Sequence, residues 1–73
     1  MSLAIRAFSE MKAMREAYQA VSCFHDVVEE VRVVRGSDYV LSPREKRVLM
    51  TLDADFKHRV QTVKATLADM RAR

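Results

Sequence analysis

Cys23 with His25, and Asp55 with His58, are the residues whose types and spacing invite a chemical reading, because thiolate, imidazole and carboxylate groups are metal ligands and acid–base catalysts. On a helix, Cys23 and His25 are two residues apart and face different ways. Asp55 and His58 share one helical turn, the spacing of a metal pair inside a helical bundle, but they project almost opposite the apolar stripe of their own segment. Neither pair converges on a core. Cys23 then reads as a small buried hydrophobe, and His25 as a histidine at a core boundary. Nucleophilic or acid–base catalysis needs a nucleophile, a base and an orienting group around a cleft, and a phosphate or oxyanion needs a glycine-rich loop. With one glycine, and with its Ser, His and Asp residues on outward helix faces, the chain offers neither. The expectation is a protein that is not an enzyme, with no catalytic residues, no metal and no cofactor.

The elements that position these residues are set by the stretch Gly36 to Glu45, which holds the only glycine and the only proline. Ser42, Pro43 and Glu45 form a capping box. The serine oxygen accepts from the Glu45 amide, the glutamate reaches back to the Ser42 amide, and proline stands at the first helical position with φ already set. A helix therefore starts at 43, and with no breaker after it the helix runs to about 72, a rod of about 45 Å at 1.5 Å per residue. Leu49, Phe56, Val63 and Met70 repeat every seven residues, with Leu52, Val60 and Leu67 between them, a narrow seam of the coiled-coil kind. Opposite charges four apart, Asp53 to Lys57, Asp55 to Arg59 and Asp69 to Arg73, mark the solvated side.

Upstream, Ser2 is a candidate N-cap for a helix over about 3–35. Its apolar stripe begins as Ala4, Ala7, Met11, Met14, Tyr18 and Val21, with Phe8 and Ala17 widening it, and Arg6 to Glu10 and Lys12 to Glu16 are opposite charges four apart on its flanks. Beyond Val21 the stripe passes to Phe24, Val28 and Val31, rotated by roughly a third of a turn, more than supercoiling absorbs. Two outcomes follow: a bend or break near Ser22 to His25, or two halves that pack on different partners. The second is preferred because no glycine or proline marks a break. A competing arrangement pairs Val31 to Val34 with Tyr39 to Ser42 as a β-hairpin. Helix is favoured because Val27, Val31 and Val34 share a face, Arg32 and Arg35 suit a helix C-terminus, and Gly36 follows.

The chain thus reads as all-α, one domain of 73 residues: an antiparallel helical hairpin joined by a turn over 36–42. Its core comprises Met14, Tyr18, Val21, Leu49, Leu52, Phe56, Val60, Val63, Leu67 and Met70, with the Met11 to Met14 region beside Leu67. A single core of this size is marginal, and Phe8, Met11, Phe24, Val27 and Val33 are surplus to it, so a homodimeric four-helix bundle is expected, with a three-helix monomer folded over near Ser22 as the alternative. Composition agrees, with 49% hydrophobic and 32% charged residues. One cysteine excludes an internal disulfide, and no leader-like or membrane-spanning run is visible, so a cytoplasmic protein is expected.

Charge is the remaining chemistry. Arg44, Lys46 and Arg47 lie in the first turns of the second helix, where positive charge opposes the macrodipole. Asp26, Glu29 and Glu30 stand at about the height needed to neutralise them. Otherwise the cluster joins Arg32 and Arg35 in a basic tip, beside Tyr39 and the apolar Val40 and Leu41. The run Leu41 to Leu49 resembles the opening of the LuxR-type helix-turn-helix, and Thr62-Val63-Lys64 is similar to the start of that family's recognition helix. That family needs a complete helix and a turn between the two pieces, whereas one apolar stripe runs unbroken here, so no functional residue is carried over.

The function expected is a small protein-binding module: an adaptor, a chaperone-like protein, or an inhibitor or anti-activator of the kind phages encode. It would act sterically through a helix face or the basic turn, with Arg32, Arg35, Tyr39, Arg44, Lys46 and Arg47 as partner-binding candidates. The alternative is a dimeric nucleic-acid-binding transcriptional regulator that applies the same turn to phosphates, although no aromatic or amide set for reading bases accompanies it.

Overall fold

A computed structural model describes residues 2–36 and 38–72, which form two helices, α1 (Leu3–Arg35) and α2 (Pro43–Arg71). Both begin at the serine caps. Ser2 Oγ accepts from the Ile5 amide at 3.2 Å, and at Ser42 both halves of the capping box are made. The helices run antiparallel, with Glu10 against Thr66 and Tyr18 against Phe56. The molecule is a rod of 54 × 18 × 17 Å, close to the roughly 50 Å expected of α1 alone at 1.5 Å per residue.

No strand occurs among the described residues, and Val31 to Val34 continue α1. What ends α1 is Gly36, whose amide donates to the Arg32 carbonyl at 2.9 Å with φ 115° and ψ 155°. This is not the left-handed helical cap but a region open to glycine almost alone. A Cβ there would also meet Asp38 Oδ1 at 2.9 Å. The chain can leave α1 in that direction only with glycine at 36.

Within α1 there is no break at Ser22 to His25. Nor does the inward stripe rotate. Ala7, Met14, Val21 and Val28 repeat every seven residues, interleaved with Leu3, Glu10, Ala17, Phe24 and Val31, and every one is buried or half-buried. The expected rotation came from placing Ala4, Met11 and Tyr18 inside. The helices instead close over the smaller Ala7 and Ala17, which permit near approach, and leave Met11 and Tyr18 at the exposed margin. Tyr18 still touches the core, its ring 5.6 Å from that of Phe56 and tilted by 57°.

On α2 the expected seam holds: Leu49, Leu52, Phe56, Val60, Val63 and Leu67 are all buried or half-buried. Met70 is the exception at 39% exposure, because it lies beside the start of α1, where no further turn covers it. The contact of Glu10 with Thr66 brings the start of the Met11 to Met14 region to about the height of Leu67, with Met14 further along. Surface ion pairs form as expected for Arg6–Glu10, Lys57–Asp53 and Arg59–Asp55. Lys12–Glu16 does not form, and Asp69–Arg73 involves a residue outside those described, as does the part of the expected turn at Ser37.

Candidate functional site

The hairpin end is built from the capping box outward. Glu45 Oε1 accepts from the Ser42 amide at 3.1 Å, and Oε2 accepts from the Tyr39 hydroxyl at 2.5 Å. The Tyr39 amide donates to the Gly36 carbonyl at 3.2 Å, so the phenol is tethered at both ends of its residue. The Tyr39 hydroxyl first, and then the Ser42 donors and the Arg35 charge, hold the Glu45 carboxyl below its ordinary value. The same bond to Glu45 raises the Tyr39 phenol above 10.0. A carboxyl depressed in the folded state contributes stability above its unfolded value, near 4.5, and that contribution disappears as pH falls through the folded value. Tyr39→Phe removes the largest cause, so the Glu45 carboxyl, followed by carbon-detected NMR titration, is expected to titrate at higher pH in the variant. An unchanged titration would show that the phenol does not hold it.

Around this frame the six partner-binding candidates separate. Arg32 is half-buried and ion-paired to Glu29 at 2.9 Å, with its Nε enclosed and unpartnered. Tyr39 is engaged with Glu45, and Arg35 is exposed nearby. Arg44, Lys46 and Arg47 are exposed, and among the described residues none forms an ion pair. The expected neutralisation by Asp26, Glu29 and Glu30 therefore does not occur. Glu29 is engaged by Arg32 on its own helix, and the other two acids face solvent. Arg44 and Arg47 instead flank an open concavity of about 330 Å³ with Val48, Thr51 and Leu52. Cationic rims over an apolar floor can seat a carboxylate next to a hydrophobic side chain.

Elsewhere the chemistry disperses. Among the described residues, no three of His, Cys, Asp and Glu converge as metal ligands. Cys23 is exposed rather than buried, because it stands one residue, or 100°, before the inward Phe24. His25 is exposed as well, and Asp55 is held by Arg59 at 3.4 Å. Of the self-association candidates, Phe24 is half-buried on the seam, whereas Phe8, Met11, Val27 and Val33 face outward, with Phe8 75% and Val33 84% exposed. α2 from Pro43 to Arg71 is one helix, without the turn that the LuxR-type motif requires.

Sequence reasoning missed one polar group. Thr66 is fully buried, donating its hydroxyl to Glu10 Oε2 at 2.5 Å and accepting from Arg6 Nη2 at 3.3 Å. Arg6 Nε in turn donates to Glu10 Oε1 at 3.2 Å. Half of the signal was present in the spacing: Glu10 falls on a seven-residue repeat otherwise filled by the apolar Leu3, Ala17, Phe24 and Val31, whereas the same repeat through Thr66 runs through Arg59 and marks nothing. No helix of the described residues is long and apolar enough to cross a membrane. No protein-family model, curated protein or solved structure matches this chain.

Proposed function

We propose that this chain is a small non-enzymatic protein-binding module that acts sterically, covering an acidic, partly apolar surface of another protein with its basic turn. It works as an adaptor, chaperone-like protein or inhibitor does, and it self-associates through α1 into a homodimer of four helices. The observation that carries the reading is the unneutralised Arg44 and Arg47 pair on the rim of a concavity floored by Val48 and Leu52. Charges that oppose their own helix dipole and find no internal partner gain most from an external anion. An acidic amphipathic segment supplies both the carboxylates and the apolar side chain.

The test is affinity capture from a lysate on the pure protein, repeated with Arg44→Glu/Arg47→Glu. A protein retained by the parent and lost by the variant, with helicity unchanged, supports the reading. Nucleic-acid retention without protein, weakening steeply with salt, replaces it with the phosphate-binding regulator that the same free cations favour. If the variant instead melts earlier and loses no partner, the cluster serves the fold.

A further inference from the structure

The side of α1 opposite its seam carries a second stripe with the same alternation of threes and fours, running from Ile5 to Val33, and all of it except the half-buried Ser22 is exposed. Its composition is ordered along the helix. Ile5 and Phe8 are apolar, Lys12 and Arg15 basic, Gln19 and Ser22 neutral, Asp26 and Glu29 acidic, and Val33 apolar again. Among the described residues Lys12, Arg15 and Asp26 form no ion pair within the chain, and Glu29 keeps an exposed side chain beside its contact with Arg32.

We infer that this stripe is a self-complementary interface on which a second copy of the chain docks with its α1 antiparallel, about a two-fold axis midway between Gln19 and Ser22. Turning the stripe end for end sets Phe8 against Val33 of the second copy, Lys12 against Glu29, Arg15 against Asp26, and Gln19 against Ser22. Each matching then occurs twice, as an isologous contact requires. These are also the layers that an antiparallel coiled coil forms from residues spaced by three and four. In a parallel pairing, by contrast, Lys12, Arg15, Asp26 and Glu29 would each meet their own copies, a like-charge arrangement that selects against that orientation. The apolar ends supply the adhesion, and the charged middle supplies register and direction. Because the stripe lies opposite the seam with α2, the four helices form a single row, α2–α1–α1–α2, rather than a ring around a common core.

The inference rests on the reading that the chain self-associates, and one experiment separates the two. Sedimentation velocity is run on three proteins at about 100 µM in about 50 mM salt: the parent, Lys12→Glu/Arg15→Glu, and Asp26→Lys/Glu29→Lys. All four positions are exposed, so helicity is expected to be unchanged, and circular dichroism checks this. The parent is expected to be a dimer, each variant alone to dissociate at least about tenfold more readily, and their equimolar mixture to recover a heterodimer, since all four charge pairs are then of opposite sign, two in the original sense and two reversed. A parent dimer that both variants keep, or variants whose mixture stays monomeric, overturns this interface while leaving self-association standing. A monomeric parent overturns both.

Discussion

Val63→Asp abolishes the folded hairpin. Val63 sits at the middle of the α2 repeat with 6% of its surface exposed, one of four apolar side chains that the described chain buries this deeply. Arg6, which reaches the seam a turn away at Thr66, is already engaged by Glu10, so a carboxylate at 63 is buried without a partner of its own, and burying an unpaired charge costs several kcal/mol. A chain of this size has about 4–11 kcal/mol of total stability, and a two-helix core with so few buried groups belongs at the low end. The expected result is loss of the cooperative thermal transition by far-ultraviolet circular dichroism at low micromolar concentration. Phe8→Asp, at a position facing water, should leave that transition in place. A cooperative melt in Val63→Asp would mean that the helices do not pack along this seam.

Removing the Thr66 hydroxyl is expected to cost more than removing the whole polar contact. Thr66→Val keeps the shape of a side chain with 0% exposure, but it leaves the largely buried Glu10 carboxylate without its interhelical donor. An acceptor stranded in that way costs about 1–3 kcal/mol, and more when charged. Glu10→Leu together with Thr66→Val replaces both partners with apolar groups on a seam otherwise built from them, and such paired replacements are near neutral or stabilising. Arg6 is exposed enough to return its guanidinium to water. In urea denaturation the single variant should shift to a lower midpoint at unchanged slope, and the double variant should return to the parental midpoint or above it. A double variant as unstable as the single would show that the polar contact itself holds the helices together.

The helix boundaries were legible in the sequence because they are set locally. Ser2, Ser42 with Pro43 and Glu45, and Gly36 each act on backbone groups within four residues of themselves. The α2 seam was equally legible, since only one of its faces is continuously apolar. The α1 seam was not, because Ile5, Phe8, Met11, Tyr18, Val27, Val33 and Val34 place apolar groups nearly all round that helix. A helix apolar on several sides has a defined inside only once its partner is present. Close approach then favoured the small Ala7 and Ala17 over the larger side chains, while Glu10 became tolerable on the seam because Thr66 stood opposite.

The candidate site divides the same way. The presence of the basic cluster in the first turns of α2 was fixed by residue type and position alone. Whether Asp26, Glu29 and Glu30 would neutralise it depended on side-chain directions across the turn, and those directions follow from how the two helices meet. By itself, then, the amino-acid sequence determined where the helices start and stop, that they fold back on each other, and where the charge lies. Only the tertiary structure decided which side of α1 is inside, and therefore which charges and apolar groups are left for other molecules, because that choice is made by contacts between residues far apart in the chain.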